Sequence, residues 1–259
     1  MSRIQPVALA LPAFNEERRL DADRLRDLAL DPRIRLIFVD DGSTDGTRSR
    51  LQDIAADMAG AEVVSLESNR GKGEAVRLGL LHAIASGAEA VGYYDIDLAT
   101  PPSEMLRLVD TLSARPEVSV VLGARVSLLG SSIERSAVRH YAGRVFATLA
   151  SLACGLRVYD TQCGAKVFRV TPALEQALAR PFRSRWCFDV ELLARLTDGG
   201  APVGRSGDSS FLEVPLHAWS DVPGSKLNLA AMMRAPLELS ITWWQRAARV
   251  RSARAKSRP

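Results

Sequence analysis

The chain has 259 residues, 47% hydrophobic and 25% charged, with a formal net charge of +4 and a pI near 9.2. This composition suits one large domain with a sizeable core and excludes a low-complexity or disordered chain. Three cysteines, Cys154, Cys163 and Cys187, lack C-x-x-C spacing, which argues against a disulfide framework or a zinc site and for a reducing, cytoplasmic compartment.

The first half alternates apolar runs with helical patterns. "VALAL" (7–11) reads as a buried strand, and "LDADRLRDLAL" follows with helical spacing. "IRLIFVD" (34–40) is a second strand, followed by a helix that begins near Asp45. "EVVSL" (62–66) is a third strand, and "GEAVRLGLLHAIASG" a helix ended by Gly87. "AVGYYD" (90–95) is a fourth strand, and "PSEMLRLVDTLSA" a helix entered through prolines. "VSVVLGA" (118–124) is a fifth. Continuous apolar strands alternating with helices predict an α/β fold, a mainly parallel sheet with helices on both faces. The apolar run at the N-terminus meets Asn15, Glu16 and Glu17 too soon for a signal peptide. No stretch reaches the roughly 18 apolar residues of a membrane-spanning helix. "VFATLASLACGL" (145–156) reads as a buried or interfacial helix.

Ligands of such sheets bind outside the carboxyl ends of the strands. The polar clusters collect there: "PAFNEE", "DDGSTDGT", "ESNRGKGE", "DIDLATPP" and "GARV" follow the five strands in turn. In the second cluster, Asp45 or Thr44 would cap the following helix. The surplus acid, Asp41 above all, suits the hydrogen-bond donors of a ribose or base. "NRGKGEAV" has Gly71 and Gly73 but fits neither a dinucleotide fingerprint nor a P-loop. What remains is a loop that approaches a ligand closely, with Lys72 either near a phosphate or solvated.

Asp95 and Asp97 end the fourth strand. A second D-x-D, Asp21-Ala22-Asp23, lies on a helix away from the strand ends, so the tripeptide alone carries little weight. Position separates the two. Two oxygen ligands beyond a buried strand suit Mg²⁺ or Mn²⁺, which leave positions for water and substrate phosphates. A D-x-D-x-T phosphatase is excluded by position, since Thr100 comes one residue late. Further on, Asp189 near a helix start reads as a charge favourable to the helix dipole, or as a base or acceptor-orienting carboxylate. Cys163 and Cys187 read as small packing residues.

Together these residues resemble the family 2 glycosyltransferases of GT-A fold, and within them the polyprenyl-phosphate sugar synthases of the dolichyl-phosphate glucosyltransferase branch. "PAFNEE", "VDDGSTDGT", "NRGKGEAV" and "DIDLATPP" carry the general likeness. "DTQCGAKVFR", "RWCFDVELL" and "EVPLHAWSDVPGSKLN" carry the narrower one. The resemblance implies an inverting enzyme that moves a sugar, glucose first, from a UDP-sugar to a polyprenyl phosphate. It implies that Pro12, Ala13, Glu16 and Asp41 hold the uracil and ribose, with Lys72 near the nucleotide. Asp95 and Asp97 would hold Mg²⁺ or Mn²⁺ on the diphosphate. Arg125, with Arg135 or Arg139, would grip the acceptor phosphate, and Asp97, Arg125 and Asp189 are the catalytic candidates. Related mannosyltransferases often carry a glutamine where this chain has Ala99, so the metal site would have fewer protein ligands.

GDP-mannose, UDP-N-acetylglucosamine or a uronic acid donor stay open, as does a non-catalytic nucleotide-binding protein of the membrane surface. A sugar-nucleotide pyrophosphorylase would need a glycine-rich basic signature after the first strand, where "PAFNEE" stands. The expected organisation is a catalytic domain over 1–225 and a membrane-surface helix and basic tail over 226–259. "LAAMMRAPLELSITWWQRAARVR" suits a helix in the headgroup zone or one packed on the core. The tail from Arg246 to Arg258 holds six basic residues and no acid. It reads as a solvated end or as an arm for acidic lipid headgroups or nucleic acid. The resemblance favours the lipid, with peripheral attachment to the inner membrane face and no nucleic-acid partner; the oligomeric state stays open.

Overall fold

Val7–Ala13 forms β1, an interior strand of the sheet, and all seven residues are buried. Its alternate side chains serve two cores: Val7, Leu9, Leu11 and Ala13 face one cluster, and Ala8 and Ala10 the other. A strand covered on both faces has no polar face to show, which is why the run is apolar throughout. Each buried leucine or valine contributes roughly 1.5–3 kcal/mol of transfer free energy. The structure is a computed structural model and describes residues 6–133, 137–184, 187–198, 210–222, 238–244 and 246–248.

The other elements follow the expected alternation: α1 (Ala22–Ala29), β2 (Ile34–Asp40), α2 (Thr47–Ala56), β3 (Glu62–Ser65), α3 (Lys72–Ala85), β4 (Ala90–Tyr94), α4 (Pro102–Ala114) and β5 (Val120–Ala124). Then come β6 (Ser132–Ile133), α5 (Ala137–Cys154), β7 (Ala165–Arg169), α6 (Pro172–Leu178), α7 (Phe188–Asp198), β8 (Phe211–Pro215) and β9 (Ala218–Trp219). Seven strands form one sheet in the order β3-β2-β1-β4-β7-β5-β8, and β6 pairs with β9. Helices α1, α2 and α4 cover one face, and α3, α5, α6 and α7 the other.

The sheet is mainly parallel, as expected, but β7 runs antiparallel between β4 and β5. Its first residues therefore lie at the edge where the parallel strands end. This brings the "DTQCG" loop (160–164) beside the turns that follow β4 and β5. Asp21 caps α1 by accepting from Arg24 N–H (3.1 Å), and Asp23 pairs with Arg26 (2.9 Å), so the second D-x-D is structural. Cys154, Cys163 and Cys187 are buried free thiols, in keeping with packing roles.

Candidate active site

The turns after β1 and β2 are sewn together by side chains. Asn15 N–H donates to Ser43 Oγ (3.0 Å), and Asn15 Oδ1 accepts from Thr44 N–H (2.9 Å). Glu16 N–H donates to Thr47 Oγ1 (2.8 Å), and Glu17 accepts from Gly46 N–H (3.1 Å). Asn15 sits at φ 51°, a left-handed conformation that asparagine tolerates better than most residues. The expected cap by Asp45 or Thr44 takes another form: Gly46 is the N-cap, and Asp45 accepts from Thr47 N–H (3.0 Å) and its hydroxyl (2.5 Å). Asp40 accepts from Ser43 N–H (3.0 Å) and Arg48 Nε (2.8 Å). Pro12 and Ala13 end β1, and Ala13 carbonyl accepts from Asp41 N–H (2.8 Å).

Asp41 is 2% exposed and accepts from the backbone N–H groups of Arg70 (2.7 Å) and Gly71 (2.8 Å). A carboxylate with two such donors fixes the loop before α3. That loop carries Lys72, whose Nζ stands 2.6 Å from Asp95 Oδ1. Partial desolvation opposes the Lys72 ammonium, but the charges of Asp95, Asp189 and Asp97 outweigh it and raise its pKa. Gly73 lets the first turn of α3 press on α7, because a Cβ there would stand 2.7 Å from Phe188 Cβ.

Asp95 and Asp97 lie at the centre of this edge. Asp95 N–H donates to Gly164 carbonyl (2.8 Å). A Cβ on Gly164 would stand 2.0 Å from Asp95 Oδ2, so any side chain there displaces the carboxylate. Leu98, at φ 53°, turns the chain so that Ala99 N–H reaches Asp97 Oδ1 (3.1 Å). Arg19 joins the β1 turn to the β4 turn, holding Asp97 Oδ2 at 2.9 Å and Glu16 at 3.0 Å. Burial and the charge of Asp95 push the Asp97 carboxyl up, against the pull of Ala99 N–H, Lys72 and Arg19. Two neighbouring carboxylates, 29% and 25% exposed, suit a divalent cation with open positions. Among the described residues no group of three or more His, Cys, Asp or Glu side chains is arranged for a metal.

Arg125, after β5, forms a two-pronged pair with Asp160: Nε to Oδ2 at 2.6 Å and Nη2 to Oδ1 at 2.9 Å. Its guanidinium lies 5.3 Å from the centre of the Trp219 ring. Asp160 N–H and Tyr159 N–H in turn donate to Glu213 (2.8 and 2.7 Å). Burial opposes the Arg125 charge, and Asp160 more than restores it, so its pKa is raised.

Asp189, in the first turn of α7, is 5% exposed and faces the site rather than solvent. Its Oδ1 receives the Tyr93 hydroxyl and Lys166 Nζ (2.8 Å), while Gln162 Nε2 stands 3.5 Å from Oδ2. Burial raises the Asp189 carboxyl and lowers the Lys166 amine, which brings their proton affinities together.

The structure thus gathers Glu16, Asp41, Lys72, Asp95, Asp97, Arg125 and Asp189 along one edge. Sequence reasoning missed Arg19, Tyr93, Asp160 and Lys166. A lysine inside the apolar run "GAKVF" was the available signal, since lysine is almost never fully buried without a partner. Arg135 lies outside the described residues, and so does the side chain of Arg139. Most of 226–259 also lies outside them. In the described part, Leu239 and Thr242 are buried, while Ile241, Trp243 and Trp244 are exposed by 41%, 50% and 65%. In α5, Ala147, Ala150 and Ala153 are buried and Leu149 and Leu152 exposed, a helix with one face in the core. Among the described residues no helix is long and apolar enough to cross a membrane.

The model of the family described as Glycosyl transferase family 2 matches residues 9–174. A human dolichyl-phosphate beta-glucosyltransferase is 31% identical over 253 residues, covering 87% of this chain and 71% of its own. Its Drosophila melanogaster counterpart is 33% identical over 238 residues, covering 85% and 69%. Glucosyl-3-phosphoglycerate synthase from Mycobacterium tuberculosis, in a crystal structure with Mn²⁺, UDP-glucose and phosphoglyceric acid, superposes with a TM-score of 0.66. That likeness, at 22% identity, covers 94% of this chain and 80% of the synthase and concerns the fold.

Proposed function

The chain belongs to glycosyl transferase family 2, and from that premise we propose that it transfers glucose from UDP-glucose to a polyprenyl phosphate such as dolichyl or undecaprenyl phosphate. The observation that carries the reading is the single strand edge on which the acidic pair Asp95 and Asp97 meets Lys72, Arg19 and Arg125. Such an edge suits two anionic substrates and a cation between them. The names of the relatives support the donor sugar and the lipid acceptor.

Pro12, Ala13, Glu16 and Asp41 are assigned to the uracil and ribose, Asp41 through the loop it fixes. Asp95 and Asp97 would hold Mg²⁺ or Mn²⁺, which supplies charge stabilisation for the departing diphosphate. Lys72 and Arg19, paired with the two acids, would meet phosphate oxygens if those acids held a cation. An oxygen of the acceptor phosphate forms the new bond to the anomeric carbon. The bond from that carbon to UDP breaks on the opposite face, with inversion. The phosphate is already an anion and needs no strong base, so the protein's main task is to hold two anions in line. Arg125, with Arg135 or Arg139, is assigned to the acceptor phosphate. The test of the donor is competition: UDP inhibits transfer at least about tenfold better than GDP, and equal inhibition would remove the assignment to a uridine donor.

Peripheral contact with an anionic membrane on its inner, cytoplasmic face belongs to the same proposal. Trp243 and Trp244 stand outside a short helix whose Leu239 is buried with Ala150 and Ala153 of α5. Six basic residues follow in the sequence from Arg246. Each basic residue near an anionic surface adds about 1 kcal/mol. Removing 249–259, which spares Arg246 where it packs against Gly155, is expected to weaken sedimentation with phosphatidylglycerol-containing vesicles at least about tenfold while thermal stability changes little. Unchanged sedimentation would contradict the membrane role.

A further inference from the structure

Lys166 is the second residue of β7, 1% exposed, between the fully buried apolar residues Ala165 and Val167. Its ammonium has three partners: Tyr93 Oη (2.5 Å), Cys163 carbonyl (2.6 Å) and Asp189 Oδ1 (2.8 Å). Tyr93, on β4, is likewise fully buried and directs its hydroxyl to the same Oδ1. Its ring packs against Phe188 (centroids 5.7 Å apart) and lies under Lys166 Nζ (4.9 Å). Two donors from two neighbouring strands thus converge on one oxygen of a carboxylate carried by a helix. The other oxygen, Oδ2, has the longer contact to Gln162, in the loop that ends against Asp95. The close seating of Gly73 on Phe188 brings Lys72, the partner of Asp95, to the same side.

We propose that Lys166 and Tyr93 are positioning residues for transfer: they clamp Asp189 by Oδ1, so that Oδ2 faces the reacting groups, and Lys166 cancels the charge of Asp189. The assignment rests on the transferase reading of the site. An apolar residue would fill position 166 without the desolvation cost of a buried cation, so the lysine answers a need other than packing. That need is electrostatic. Asp189 shares its surroundings with Asp95 and Asp97, and a free carboxylate there would repel an incoming phosphate and diphosphate. Paired with Lys166, Asp189 presents an acceptor oxygen of fixed direction without net charge.

The test is a mutant cycle on the full chain, reading kcat, acceptor KM and UDP affinity. Lys166→Met is expected to lower kcat roughly 10–100-fold, as loss of a supporting partner does at other sites, with UDP affinity kept within about threefold. Tyr93→Phe, which keeps the ring packing, is expected to lower it less. In an Asp189→Asn background both effects should largely vanish, because both act through that carboxylate. Should Lys166→Met fail to fold, Tyr93→Phe carries the same cycle. A folded Lys166→Met with kcat within twofold of wild type would overturn the proposal, and so would an equal loss in the Asp189→Asn background. A wild type that transfers no sugar would sink the transferase reading instead. The clamp would then be judged by crystal structures of Lys166→Met and Tyr93→Phe: a rotated or spread Asp189 carboxyl supports it, and an unmoved one overturns it.

Discussion

Asp97→Asn is expected to abolish sugar transfer and leave the chain folded. Asparagine keeps the shape and the contact with Ala99 N–H but removes the charge that a divalent cation needs. Charge stabilisation by a metal at a diphosphate is worth several kcal/mol, so turnover should fall by about 10³-fold or more. Stability has the opposite sign. Burial and Asp95 hold the Asp97 carboxyl above its unfolded value. A raised carboxyl adds stability that is present below the unfolded pKa and lost as the pH rises through the folded one. At pH 7, with metal removed by a chelator, wild type carries that penalty and Asp97→Asn does not. The variant should melt no lower than wild type, and its advantage should shrink as the pH falls into the carboxylate range. Full activity in Asp97→Asn would show the metal assignment to be wrong. A large loss of stability at pH 7 would contradict the electrostatic account.

Arg125→Ala should damage both the fold and the transfer. Asp160 is buried and receives two guanidinium hydrogen bonds, so truncation leaves its charge poorly compensated. Breaking a buried pair costs about 3–5 kcal/mol, and the partial exposure of Arg125 (19%) puts this one at about 3. For a chain of this size, that lowers the melting temperature by about 6–12 °C. Asp160→Asn separates the two roles, since it loosens the guanidinium but keeps it. If Arg125 also meets the acceptor phosphate, Arg125→Ala should cost about 10²-fold in kcat/KM for the lipid, well beyond the loss in Asp160→Asn. Both are to be assayed at a temperature where both are folded. Equal losses would confine Arg125 to holding the "DTQCG" loop.

The strands and the edge that carries the site were legible in the sequence because parallel strands leave a one-dimensional trace: an apolar run, then a polar turn. The helix Pro102–Ala114 was read to the residue, since Pro101 and Pro102 mark its start. The place of the acidic pair just after a buried strand was legible. What was hidden is the work of the surplus acids. Asp40, Asp41 and Asp45 all serve the turns, through Arg48, the 70–71 backbone and Thr47. The antiparallel course of β7 was hidden as well, because a short apolar strand reads the same in either direction. Pairs such as Arg19–Asp97 and Lys166–Asp189 join residues far apart in the chain, and no local pattern announces them. Lys166 alone left a trace, as a cation where the pattern called for a hydrophobe.

The most direct measurement incubates the purified chain with Mg²⁺ or Mn²⁺, labelled UDP-glucose and dolichyl or undecaprenyl phosphate, and looks for label in the extracted lipid. The account predicts a glucosyl lipid phosphate of inverted, β configuration whose formation stops on addition of a chelator and in Asp97→Asn. No lipid-linked product from UDP-glucose, or from a panel of other UDP- and GDP-sugars, would contradict it.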